Sequence, residues 1–170
     1  MYTGECYKPS NTGRIIADVI TDNHAYVWDR TRPDPEMLAL LADDSYAPIV
    51  VFPQQYAEPE RCINSPQESM AIQQGKTPLF VMLDGTWREA KKMFKSPYLA
   101  TLPVLGIQPQ QASSYALREA AHLHQLCTAE VAIEILKLAE DDAAATALQQ
   151  YFATFRSAYI AGKPHLSLTD

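Results

Sequence analysis

Asp84 stands where an apolar run from Pro78 to Leu83 gives way to Gly85-Thr86-Trp87-Arg88-Glu89 and a helical pattern. A carboxylate at a strand end is a candidate acid, base or binding group. Ligands of open α/β sheets bind outside the carboxyl ends of the strands, and amides at a helix N-terminus receive anions. Thr86 and Glu89 have the spacing of a capping box, which predicts a helix start at this point. Asp-Gly is also ordinary turn chemistry, so a turn or capping role for Asp84 is the competing reading. In the helix that follows, Arg88, Lys91, Lys92 and Lys95 recur at i, i+3, i+4 and i+7, while Trp87, Ala90, Met93 and Phe94 are suited to packing on a sheet. That cationic face is either a surface for a polyanion beside Asp84 or a plain solvated face.

The elements that position these residues follow from apolar patterning. Pro48 to Phe52 reads as a buried parallel strand ended by Pro53, and Pro78 to Leu83 as its counterpart before Asp84. Ala25 to Trp28 reads as a strand, and Asp34-Pro35 supplies an N-cap and N1 proline for a helix through Leu41. The run Arg14 to Ile20 is too short for periodicity to separate helix from strand, and helix is preferred. Gln54 to Lys76 is a polar connection with one short helix around Gln67 to Gln74, of a length that is usually functional or mobile. Pro103 to Ile107 is the next strand, 108–125 is irregular, and Thr128 caps a helix running to Glu140. In the last helix Leu148, Tyr151, Phe152, Phe155 and Tyr159 form a stripe that reads as core, and Gly162 ends it. Alternating strands and helices predict an α/β fold with a mostly parallel sheet.

Composition bounds the function. A chain of 170 residues with 47% hydrophobic content is expected to form a single domain over residues 1–170. Cys6, Cys62 and Cys127 lie far apart and include no C-x-x-C pair, and His122-x-His124 has no partner at metal-ligand spacing, so no metal is expected. Without an apolar run of about 18 residues, a soluble, cytoplasmic protein with no membrane contact is expected. The net charge of −6 opposes nucleic-acid binding in sum but not in distribution. Lys76 to Arg118 holds six basic residues against two acidic ones, +4, which leaves −10 for the remainder. A polyanion can be accepted at that sector alone. The six glycines form neither G-x-G-x-x-G nor a P-loop, which removes the usual phosphate cradles.

Five segments in order carry a resemblance. Lys8-Pro9-Ser10-Asn11-Thr12-Gly13-Arg14, Val51-Phe52-Pro53, Asp84-Gly85-Thr86-Trp87, Tyr115-Ala116-Leu117-Arg118 and Cys127-Thr128-Ala129-Glu130 resemble the DTW-domain family along nearly the whole chain. The likeness is greatest to the bacterial members that modify tRNA uridine. It implies S-adenosylmethionine as donor and transfer of its 3-amino-3-carboxypropyl group to N3 of a uridine in the tRNA variable loop. Methylthioadenosine is then the by-product, tRNA the partner, and no obligate protein partner is evident. It also implies a SPOUT-like α/β fold with a C-terminal trefoil knot, which sequence rules alone never propose. Relatives usually begin with a Cys-rich, zinc-binding segment and a strand ahead of the Lys-Pro-Ser-Asn-Thr-Gly motif. This chain starts at Met1-Tyr2, almost on the motif, so an N-terminal truncation or a member lacking that module is expected.

On that resemblance Asp84 is the candidate base for the uridine N3 proton. Phe52, Pro53, Leu83, Gly85 and Thr86 are expected to surround the adenosine. Cys127, Thr128, Ala129 and Glu130, at another helix start, suit a donor carboxylate or ribose hydroxyl, with complementing the helix dipole as the competing reading of Glu130. Cys127 is read as a packed position and not a nucleophile, since no histidine is placed to activate it. Arg118 and Tyr115 are expected to grip phosphate and stack on an unstacked base, against the alternative of a surface ion pair and a buried ring. Asn11, Thr12 and Arg14 are expected at the RNA side of the site with Arg88, Lys91, Lys92 and Lys95, and Trp87 is read as a packing residue. The competing functions are a non-catalytic RNA-binding module of the same fold and a SPOUT-type RNA methyltransferase.

Overall fold

A computed structural model describes residues 1, 8–9, 11–107 and 126–162. Tyr115 and Arg118, and the irregular stretch expected over 108–125, lie outside the described residues. Those described within Met1–Cys6 and Ala25–Ile107 form one compact unit, and those within Tyr7–His24 and Gln108–Asp170 form a second.

The first unit is built on a four-stranded, all-parallel sheet in the order β2-β4-β1-β3. Its strands are β1 (Tyr46–Val51), β2 (Cys62–Ile63), β3 (Thr77–Met82) and β4 (Val104–Leu105). β1 lies between β3 and β4, which is why Ala47, Ile49, Val50 and Val51 are apolar without alternation. Pro48 is tolerated inside this central strand for a positional reason. The amides of Val50 and Phe52 donate to Pro103 and Leu105 of the β4 side, so the amide missing at Pro48 would point to the same side, below where β4 begins. Pro78 lies on β3, an edge strand.

Side chains leave the sheet with a period of two, and both faces are covered. On one face Val50, Phe52 and Val104 pack with Ala90, Met93 and Phe94 of α4 (Trp87–Phe94) and Leu41 of α2 (Pro35–Leu41). On the other, Ile49, Ile63 and Leu105 meet Phe80 and Ile72 of α3 (Met70–Gln73). The helix starts follow their sequence signals: the Asp34 carboxylate accepts from the amides of Glu36 and Met37, and Thr86 and Glu89 form the expected capping box.

Three sequence expectations need correction in this unit. Ala25 to Trp28 forms no strand; Trp28 is an isolated bridge position whose amide donates to the Met1 carbonyl and whose indole donates to Ser96 Oγ. The connection 54–76 contains a strand that was not foreseen, β2, because two residues carry no periodicity. Pro103 to Ile107 contracts to the two residues of β4. β2 and β4 are tied to their surroundings by side chains instead of length. Gln54 Nε2 donates to the Ile63 carbonyl at 2.8 Å, passing so close to Gly106 that a Cβ there would fall 2.9 Å from Gln54 Cγ.

The second unit is helical: α1 (Gly13–Val19), α5 (Thr128–Leu138) and α6 (Asp142–Ala161) pack together around Ile15, Ala132, Ile133, Leu148 and Phe152. α5 starts from Cys127 as N-cap, not Thr128, and stops before Glu140. The stop has a backbone cause, since Glu140 takes a left-handed φ of 61° and the amides of Glu140 and Asp141 return to Lys137 and Leu136. Asp141 then caps α6 through the Ala144 amide. In the expected aromatic stripe Leu148 and Phe152 are core, but Tyr151 is exposed and donates its hydroxyl to Asp18. No described helix is long and apolar enough to cross a membrane.

Arg61 binds two loop carbonyls of the first unit, Nε to Leu102 at 2.9 Å and Nη2 to Leu99 at 2.7 Å, with its guanidinium over the Phe94 ring. Truncating it removes the side-chain donor from both carbonyls and leaves Leu99 only the Leu102 amide at 3.3 Å. Arg61→Ala is expected to lower unfolding stability by about 2 to 3 kcal/mol in a urea titration, with Arg61→Lys recovering less than half of the loss because one ammonium cannot reproduce the planar fork.

Candidate active site

The last registered pair of the central and edge strands is Val51 with Met82, so Phe52-Pro53 and Leu83-Asp84 leave the sheet side by side at its carboxyl edge. Asp84 is 8% exposed there. Gly85 follows because space is short: a Cβ at that position would lie 3.1 Å from Glu89 Cβ and 3.2 Å from Met93 Cε. Thr86 then opens α4, with the Glu89 carboxylate accepting from both its amide and its hydroxyl at 2.8 and 2.7 Å. A rigid strand ends two residues before Asp84 and a capped helix starts three residues after it, which leaves the carboxylate little backbone freedom.

An aromatic wall stands beside this edge. Phe52 stacks on Phe94 at 4.4 Å and on Trp87 at 5.4 Å, and Tyr56 meets the edge of Trp87 at 5.5 Å. Trp87 therefore packs, as its sequence context indicates. Lys91 departs from the expected stripe, with Nζ 4.7 Å from the Tyr56 ring centroid and 5.1 Å from that of Trp87. Arg88, Lys92 and Lys95 are exposed and make no ion pair among the described residues, and Lys95 falls at the helix C-cap. The Gln55 side chain and the Lys91 ammonium beside the Tyr56 hydroxyl hold that phenol below its ordinary pKa.

Tyr56 and Arg61 are the residues that sequence reasoning missed. The available signal for Tyr56 was an aromatic side chain three residues beyond Pro53, in a polar connection already marked by its length. It comes to the wall because Gln54–Tyr56 form a single 3-10 turn directly after the strand end.

The second unit brings together a different group. Asn11 and Thr12 are buried: Asn11 Oδ1 accepts from the Arg14 amide at 3.2 Å, and Thr12 Oγ1 accepts from the Ala129 amide at 3.3 Å. Of the three residues expected here on the RNA side, Arg14 alone is exposed. At the start of α5 the Cys127 amide donates to Glu130 Oε2 at 2.9 Å and the Cys127 sulfur faces the Glu130 amide. Glu130 Oε2 thus takes part in the helix start. Among the described residues no three His, Cys, Asp or Glu side chains are grouped to hold a metal ion, and His122 and His124 lie outside those residues.

Burial, reinforced by the Glu130 carboxylate, pushes the Cys127 thiol from 9.0 up to about 12, so it is a poor nucleophile at neutral pH. A group whose pKa is higher when folded contributes no pH dependence below its unfolded value. Stability then falls as pH rises from 9.0 towards about 12, where only the unfolded chain has released the proton. The expected slope is about 1.4 kcal/mol per pH unit in that window. Urea midpoints of wild type and Cys127→Ala measured from pH 8 to 11 should converge as pH rises, since the variant lacks this penalty.

No solved structure matches the chain. A DTW-domain family model matches residues 1–160, taking in Asp84-Gly85-Thr86-Trp87, the Phe52-Pro53 strand end and the start of α5, and the chain accordingly belongs to the DTW-domain family.

Proposed function

We propose that the protein is a tRNA-modifying transferase that moves the 3-amino-3-carboxypropyl group of S-adenosylmethionine to N3 of a uridine in the tRNA variable loop, releasing 5′-methylthioadenosine in the cytoplasm. Membership in the DTW family supports a tRNA-modifying enzyme. The observation that carries the reading is the near-complete burial of Asp84 at the carboxyl edge of a parallel sheet, in the same unit as an aromatic wall and a helix bearing exposed cations. A SPOUT-like class with a C-terminal trefoil knot is part of the proposal, and the all-parallel sheet covered by helices supports it.

The residue types fit the donor. Leu83 offers apolar surface to an adenosine with the buried Phe52 behind it, and Gly85 offers backbone groups at the strand end, whereas the Pro53 carbonyl and the Thr86 amide and carbonyl are engaged by Tyr56, Glu89 and Ala90. In the second unit the amides of Cys127 and Ala129 are already engaged, by Glu130 and Thr12. When bound, S-adenosylmethionine supplies an electrophilic carbon beside its sulfonium. Asp84 acts on the other reactant, accepting the N3 proton across about 2.6 to 3.2 Å so that the nitrogen pair is free to attack. Its restrained backbone favours one orientation of the carboxylate, and orientation decides which carbon next to sulfur is attacked. Arg88, Lys92 and Lys95 attract the RNA backbone.

Incubation with a tRNA transcript and S-adenosylmethionine tests the reading: methylthioadenosine and a nucleoside heavier by the aminocarboxypropyl group are expected. S-adenosylhomocysteine as product would indicate methyl transfer, and tRNA binding without product would indicate a non-catalytic RNA-binding module. Asp84→Asn is expected to abolish transfer while donor affinity stays within about tenfold, as for a residue acting in the transition state. Loss of donor affinity would reassign Asp84 to binding. Replacing Arg88, Lys92 and Lys95 together by alanine should reduce the slope of log affinity for tRNA against log salt by about 2 to 3, because each phosphate contact contributes about 0.7 to 0.9.

A further inference from the structure

Tyr56 is 39% exposed although it belongs to an aromatic cluster, and its ring is met by Lys91 Nζ at 4.7 Å. Packing accounts for one part of the ring, which meets Phe52 at 5.7 Å and the edge of Trp87 at 5.5 Å. The buried part of the cluster is complete with Phe52, Phe94 and the inner side of Trp87. The outer part combines an aromatic surface and a cation on one small area, and the cation's neighbours on α4 are the exposed Arg88, Lys92 and Lys95. A nucleotide of single-stranded RNA offers the complement of both features, a base with a π-face and a phosphate one ribose away.

We propose that Tyr56, Trp87 and Lys91 form a subsite for one unstacked nucleotide of the RNA, in which the base takes the place that Lys91 holds over the Tyr56 ring and Lys91 turns to the phosphate. Relative magnitudes favour the exchange. A lysine over an exposed ring is worth about two- to fivefold, whereas a base stacked on an exposed aromatic side chain is worth about five- to a hundredfold in affinity. The lysine is not lost to the complex, because a phosphate is a better partner for an ammonium than a ring face is. Lys91 thereby keeps the ring surface covered while no RNA is bound. The subsite rests on the proposed action on tRNA but concerns recognition of the strand and not group transfer.

The probe is a single-stranded oligouridylate, titrated against the full chain with no donor present. Tyr56→Leu is expected to weaken binding about tenfold with the salt slope unchanged, and Tyr56→Phe to bind as wild type, since the ring and not the hydroxyl stacks. Lys91→Met should lower the salt slope by about 0.7, one single-strand phosphate contact. Thermal melts of all three variants check that the fold is intact, which exposure of Tyr56 favours. Oligouridylate binding by Tyr56→Leu equal to wild type would overturn the subsite, as would a loss in Tyr56→Phe as large as in Tyr56→Leu. Methylthioadenosine affinity provides a further control: a selective loss there in Tyr56→Leu would mean that the ring serves the donor's adenine, and the proposal would fall. The two proposals separate cleanly. Tyr56-dependent oligouridylate binding in a protein that forms no transfer product removes the transferase and keeps the subsite, and product formation without any dependence of RNA binding on Tyr56 does the reverse.

Discussion

Burial of the central strand on both faces and both edges is the constraint from which the first unit is organised. Ile49 and Val50 are wholly removed from solvent, one facing the α3 side and the other the α4 side. Each side then needs an apolar cover, and the covers dictate the flanking sequence: a helix with Ala90, Met93 and Phe94 on its inner side, and a shorter one presenting Ile72. Because parallel strands all end at the same edge, the loops that lead to those covers leave together. Asp84 and the aromatic wall are neighbours for that reason.

The same geometry separates two kinds of polar residue. Asp84 is held by a chain path with a strand behind it and a capped helix ahead, so its position is set by backbone. Arg88, Lys92 and Lys95 lie on long, solvated side chains and are set only in the face they occupy. A group that must meet one proton benefits from the first arrangement. Cations that must follow an irregular polyanion benefit from the second, since long-range attraction does not require a fixed pose.

Legibility in the sequence followed the same division. The strand before Asp84, the capping box and the Asp34-Pro35 helix start were readable because each has a local cause in residue type and spacing, whereas the run that forms the helix Gly13–Val19 was too short for its periodicity to separate helix from strand. β2 was not readable, because its two residues are ordered by β4 and by Gln54 and Arg61 rather than by their own pattern. Tyr151 shows the limit of periodicity, since a phenol can follow the apolar stripe and still turn its hydroxyl out to Asp18. At the candidate site Asp84 was legible from the strand-to-helix junction. Tyr56 was not, because its place depends on a turn that brings the chain back over Trp87. Asn11 and Thr12 look like polar surface in sequence and are buried, each accepting a backbone amide.

The strand order β2-β4-β1-β3 also has a consequence in time. β4 is the last of the described strands to leave the ribosome, yet it must enter between two strands made earlier. The β1–β3 pair can form as soon as Met82 has emerged, and α4 can cover one face of it a few residues later. Throughout that interval β2 has no neighbour, and one edge of β1 stays open to pairing with another nascent chain. The gap closes only when Val104 and Leu105 arrive, so a two-residue strand governs the moment at which the inner edge of β1 is covered.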